Sequence, residues 1–196
     1  MKRIISAFIF GILIISSVGC HSSVKPQYPT DYEKLSGYIG KTKDLFFDDF
    51  DITEENEEVR SLYKMSEQAG FLGNDYDVYL GLDESSGTVS SIQYKLTIQN
   101  NLDVAVKEVG KLKNYLLETY GENKAGLTNA LTKQNNLKQA LSQKQSYYDR
   151  WDITDDAPKH IKEYVGNELS YQLCVTVVSD GSTNVGIEIS YQVHYK

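Results

Sequence analysis

Ser61-Leu62-Tyr63-Lys64 places a hydroxyl three residues before an ammonium group, the spacing with which a lysine activates a serine for acyl transfer. Such sites also need Ser-Asp-Asn and Lys-Thr-Gly segments; Ser179-Asp180-Gly181 echoes the first loosely, and no Lys-Thr-Gly follows it. Gly37 to Thr42 (GYIGKT) ends like a loop whose backbone amides cradle phosphate, but Leu35 stands where that motif requires its first glycine. Asp48 to Glu58 (DDFDITEENEE) offers carboxylates for calcium. With Asp49 at the first position, however, Glu54 replaces the obligatory glycine and Arg60 the bidentate glutamate. The phosphate and calcium stretches fail on spacing, and Ser-x-x-Lys, whose spacing matches, fails for want of its companion segments.

The softer ligands are as sparse. His21, His160 and His194 include no pair at helical spacing, and Cys20 and Cys174 are the two cysteines, so no zinc set can be assembled from the sequence. A Ser–His–Asp triad draws on residues distant in sequence, and nothing points to one. The reading is therefore no catalytic residue, no metal and no cofactor. Cys174 lies in the apolar stretch YQLCVTVV and reads as a small core residue.

Binding surfaces are easier to place. The chain holds 15 tyrosines among 196 residues, and exposed tyrosines offer large rigid area with a polar tip. Tyr147, Tyr148 and Trp151 form the first candidate patch; Glu188, Gln192 and His194, on the polar side of the last strand, form the second. Tyr94, Tyr191 and Tyr195 fall instead on apolar strand faces and read as packing residues.

These residues must be positioned by a mixture of strands and helices. Thr42 caps a short helix through Leu45, Phe46 and Phe50. Thr53, followed by Glu54, Glu55 and Glu57, predicts a second helix, with Val59, Leu62, Ser66 and Ala69 as its stripe and Gly70 as its stop. Asp77 to Leu82 alternates as a strand, Glu84 to Gly87 turns, and Ile92, Tyr94, Leu96 and Ile98 carry the return. Asp103 to Tyr120 has a helical stripe of Val106, Val109, Leu112, Leu116 and Tyr120, ended by Gly121. A more polar helix is expected between Thr128 and Gln145 through Leu131, Leu137 and Leu141, then a strand from Tyr147 to Ile153 and a short helix opened by Asp156 and Pro158 and closed by Gly166. Leu169 to Val178 and Val185 to Tyr195 form the closing hairpin. Val185, Ile187, Ile189, Tyr191, Val193 and Tyr195 lie on one side of its last strand and Gly186, Glu188, Ser190, Gln192 and His194 on the other. Hairpin, helices, hairpin predicts a weak internal repeat. The expected fold is α+β, an antiparallel sheet built from hairpins and covered on one face by helices.

The N-terminus says where such a domain works. Lys2 and Arg3 precede an apolar core, Ile4 to Ile15, and small residues, Ser16 to Gly19, follow it. The core is too short to span a bilayer, which takes about 20 apolar residues, and the whole has the layout of an export signal. Ser17-Val18-Gly19-Cys20 resembles the lipobox of bacterial lipoprotein precursors. That resemblance implies cleavage before Cys20 and a diacylglycerol on its sulfur; Gly19 and Cys20 match the pattern, Val18 is acceptable, and Ser17 departs from the branched aliphatic residue usual there. The α+β plan is also similar to small envelope lipoproteins and inhibitors of the SmpA- and BLIP-like kind.

The domain organisation that follows is a signal peptide at 1–19, a lipidated cysteine and tether at 20–30, and one α+β domain at 31–196. Removing Lys2 and Arg3 leaves 18 basic against 27 acidic residues, a net charge near −9 that argues against nucleic acid and against adhesion to anionic lipid by charge. A nucleotide partner goes with the failed phosphate loop. The expected protein is a lipid-anchored lipoprotein on the extracytoplasmic face of a cell membrane or outer membrane, held through Cys20. It is expected to act as a non-catalytic binding or assembly module for an envelope protein or a glycan. The alternatives are a small envelope hydrolase or, with Cys20 unlipidated, a secreted inhibitor.

Overall fold

In a computed structural model, residues 33–122, 136–181 and 183–196 are described. The signal, Cys20, the tether and Leu131 lie outside them. Two short helices come first, α1 (Glu33–Ser36) and α2 (Lys43–Phe50), then a single 3-10 turn at Glu54–Asn56. Four strands follow: β1 (Glu57–Val59), β2 (Leu62–Phe71), β3 (Asn74–Asp83) and β4 (Thr88–Gln99). The second half runs α3 (Leu102–Tyr120), α4 (Leu137–Ser142), β5 (Tyr147–Asp152), α5 (Lys159–Val165), β6 (Leu169–Ser179) and β7 (Asn184–Tyr195). All seven strands join one antiparallel sheet in the order β1-β2-β3-β4-β7-β6-β5.

This corrects the expected helix-covered α+β domain: the chain is strand-dominated, with small helices. The largest single reason is residues 54–70. Thr53 does cap, its backbone N–H donating to Asn56 Oδ1 at 2.8 Å, but it caps one 3-10 turn. The chain then runs extended as β1, turns at Ser61 (φ +60°) and continues extended as β2. The pairing of β2 with β3 shifts by two residues between Lys64 and Gln68, where Ser66, Glu67 and Gln68 are exposed, so the inward residues Tyr63, Met65, Ala69 and Phe71 keep one parity but are interrupted at Glu67. An irregular strand of this kind imitates helical spacing. Gly70, expected as a helix stop, lies inside β2, and the turn to β3 is made by Leu72 and Gly73, both at positive φ.

Elsewhere the elements form where the sequence places them. Asn101 caps α3, its side chain accepting from Val104 N at 3.1 Å, and Gly121 ends it. Ala105, Val109, Leu112 and Leu116 are buried against β4 and β7, at about 1.5–3 kcal/mol for each large aliphatic side chain. Val106 and Tyr120 are partly buried. Of the expected 128–145 helix, the described part is α4, capped by Asn136.

The core is one cluster on one face of the sheet. Tyr76, Tyr94, Tyr171 and Tyr191 are buried in it as the alternation implies, whereas Tyr195, at the very end of β7, is 84% exposed. The halves repeat about the β4–β7 seam. There Gln93 faces Ser190, Ile92 faces Tyr191 and Tyr94 faces Ile189, so each of the last two pairs is the image of the other. The repeat expected from hairpin order is thus an approximate two-fold axis through Gln93 and Ser190, relating β2-β3-β4 to β5-β6-β7.

Candidate functional site

Strand pleating sends alternate residues to the face opposite the core, and ladder register lines them into three rows. The middle row reads Lys64, Tyr79, Gln93, Ser190, Cys174, Arg150. On one side of it lies Gln68, Asp77, Lys95, Glu188, Thr176, Tyr148, and on the other Leu62, Gly81, Ser91, Gln192, Gln172, Asp152. Tyr79 and Cys174 are the two buried apolar residues that do not belong to the core cluster, because they lie on this outer face. Cys174 is therefore buried as expected, but beneath polar neighbours.

In the half formed by β2, β3 and β4, the face is held by ions. Lys64 Nζ lies 3.0 Å from Asp77 Oδ2, and Gln68 Nε2 donates to Asp77 Oδ1 at 2.8 Å. The Gln68 hydrogen bond, and after it Lys64, hold the Asp77 carboxyl below the usual carboxylate range. Lys95 Nζ reaches across the β4–β7 seam to Glu188 Oε2 at 3.6 Å and sits 4.5 Å above the Tyr79 ring, with Lys64 Nζ 5.7 Å from the same ring. Tyr79 is thereby clamped between two ammonium groups, a favourable cation–π arrangement.

In the half formed by β5, β6 and β7, amides and a thiol replace those ions. Tyr148 Oη is 3.4 Å from Cys174 Sγ; burial first, then this contact, pushes the phenol up to about 12. Gln172 Nε2 donates to Ser170 Oγ at 2.7 Å. Partial burial, and then the Arg150 guanidinium, lower the His194 imidazole from its ordinary value.

The anticipated binding residues divide accordingly. Tyr148, Glu188, Gln192 and His194 share the outer face. Tyr147 and Trp151 do not: one step of the pleat from Tyr148, they point into the core at 2% and 4% exposure, and Trp151 Nε1 donates to Gly121 O at 3.3 Å. Tyr147, Tyr148 and Trp151 are thus not one patch. Asp77, Tyr79, Lys95, Arg150 and Gln172 belong to the face and were not singled out from sequence, and Lys64, read there only within Ser-x-x-Lys, belongs to it too. The polar alternation of β3 and β4 was their available signal.

The stretches that suggested chemistry have structural roles. Ser61 Oγ donates to Glu84 Oε1 at 2.6 Å while Lys64 pairs with Asp77, so the hydroxyl and ammonium have separate partners. Gly40, at φ +81°, packs against Tyr164, and a Cβ there would meet that ring at 2.7 Å; its N–H donates to Val89 O. The acidic run staples the first helices: Tyr38 donates to Asp49, while Lys43 and Tyr63 each donate to Glu54, all three at 2.7 Å. His160 Nε2 hydrogen-bonds Gly37 O at 2.8 Å, joining α5 to the turn after α1.

Among the described residues no cluster of three or more His, Cys, Asp or Glu is arranged to hold a metal ion, and no helix is long and apolar enough to cross a membrane. Compared with known proteins, the chain matches no family model, no curated protein and no solved structure.

Proposed function

We propose that this chain is a lipid-anchored envelope lipoprotein that binds a partner protein through the outer face of its sheet, without catalysis. The observation that carries the binding part is the face itself. Three rows of side chains spread over six strands, mostly polar and half-exposed at Lys64, Asp77, Lys95, Tyr148 and Glu188, with the apolar core wholly on the opposite side. A broad face of mixed polar groups around a few aromatic rings suits a protein surface, where such groups supply register and specificity. A glycan is the weaker occupant, because Trp151 and Tyr147, the rings best suited to sugar stacking, are buried. The anchor rests on the N-terminus, where Lys2-Arg3, the apolar core and Ser17-Val18-Gly19-Cys20 precede the tether.

Two measurements test the reading. Protein extracted from its native envelope yields an N-terminal peptide that begins at Cys20 and carries the mass of a diacylglycerol; an unmodified thiol overturns the anchor. Lys95→Glu and Gln192→Lys, which leave unfolding unchanged to within about 1 kcal/mol, lose the partner that co-purifies with the unaltered chain. Full retention by both variants overturns the face, and displacement by a soluble glycan moves the reading to carbohydrate.

A further inference from the structure

The two edges of the sheet are unlike, and the approximate two-fold axis makes the difference informative. β2, the outermost strand of the first repeat, is covered by β1, a three-residue antiparallel strand bearing Glu57 and Glu58 with a register break before Val59. Its image in the second repeat is β5. That strand pairs with β6 through all six of its residues without a break, and no described strand lies on its other side. β1 carries the devices that blunt an edge: shortness, charge and irregularity. β5 is twice as long and unbroken, with no proline, no lysine and no bulge; its charged residues are the buried Asp149, the half-buried Arg150 and the exposed Asp152, and Tyr148 is exposed as well.

Charge distinguishes the ends of this edge. Asp152, Asp155 and Asp156 are exposed at its C-terminal end and form no ion pair with any described residue, while Lys144 is exposed at the other end. We infer that β5 is a strand-addition site, which takes an extended segment of the partner as an eighth strand, with lysine or arginine on the part lying beside Asp152 to Asp156. Main-chain hydrogen bonds supply the affinity in this mode, and the flanking charges set its direction. The inference rests on the binding reading above and names how the partner docks.

Site-specific photocrosslinking of the full chain in its native envelope tests it, with the crosslinker at Tyr148 or Asp152 on the edge and at Lys95 or Gln192 on the face. The expected result is capture from both edge positions of a single partner segment, the Asp152 product mapping beside Lys or Arg. Asp155→Lys with Asp156→Lys then lowers the edge yield by about fivefold or more. Capture from Lys95 and Gln192 alone overturns strand addition and leaves face binding standing. Capture from the edge that ignores the charge reversal overturns the basic segment, and capture from no position overturns both readings.

Discussion

The two halves of the outer face occupy matching places about one axis and use different chemistry. In the first, Asp77 and Lys95 face each other across β3 and β4; their images in the second are Gln172 and Gln192, which face each other across β6 and β7. Tyr79, clamped by two ammonium groups, corresponds to Cys174 beneath the Tyr148 phenol. The cations at the two ends of the middle row, Lys64 and Arg150, are retained. On the inner face the central strands keep buried counterparts, Tyr76 and Tyr171, Tyr94 and Tyr191, and Ile92 and Ile189, whereas in the outer strands Tyr63 corresponds to Asp149 and Met65 to Trp151. Packing tolerates little change of volume, whereas a solvated face is free to exchange an ion pair for a pair of amides at small cost.

The largest test of this comparison lies in the shared core. Ile92→Ala and Ile189→Ala, both at fully buried positions, are each expected to lower unfolding free energy by about 2–5 kcal/mol in a denaturant titration. A cost confined to one of them would break the equivalence of the halves.

Next come the opposite pH limits. Asp77 is depressed in the folded chain, so its contribution is present above the ordinary carboxylate range and lost as pH falls through that range, below about pH 4. Tyr148 is raised to about 12, so its contribution is intact below the ordinary phenol value and lost as pH climbs from there toward 12. Asp77→Asn should flatten the acid limb of a stability–pH curve and Tyr148→Phe the alkaline limb. Either variant flattening the other limb would refute the assignment.

The thiol gives a finer test. Tyr148→Ala is expected to speed labelling of Cys174 by a maleimide by about tenfold, because the ring lies over a sulfur that is otherwise buried. An unchanged rate would show that the neighbouring strands, rather than Tyr148, close off the thiol. The smallest effect belongs to Lys95→Ala, where loss of a half-exposed ion pair and one cation–π contact should cost about 0–1 kcal/mol. A cost several times larger would mean that the ionic half is stabilised by its surface and not by the core.

Legibility in the sequence followed the regularity of each element. α3, the β3–β4 hairpin and the closing hairpin were readable because period and cap agree: Asp103 to Tyr120 keeps a helical stripe up to Gly121, and Ile92 to Ile98 and Val185 to Tyr191 alternate cleanly. β2 was not, because the exposed Ser66-Glu67-Gln68 stretch interrupts its apolar alternation at Glu67 and an acidic stretch ahead of it imitates a helix start. Of the candidate surface, Glu188, Gln192 and His194 were legible from strand parity, whereas Tyr148 was named only as part of an aromatic cluster with Tyr147 and Trp151. Tyr147 and Trp151 were misplaced because an aromatic cluster in sequence is divided by the pleat.

By itself, then, the sequence determined the segments with an unbroken period, the failure of the phosphate and calcium spacings, and the polar side of the last strand. All of these depend on residues near one another along the chain. Only the tertiary structure decided that β4 and β7 meet at a two-fold seam, that Lys64 and Asp77 pair while Cys174 lies under Tyr148, and that β5 is the last of the described strands in the sheet. Those facts come from ladder register between distant strands, and register is fixed by which buried faces fit together, a property no single strand carries.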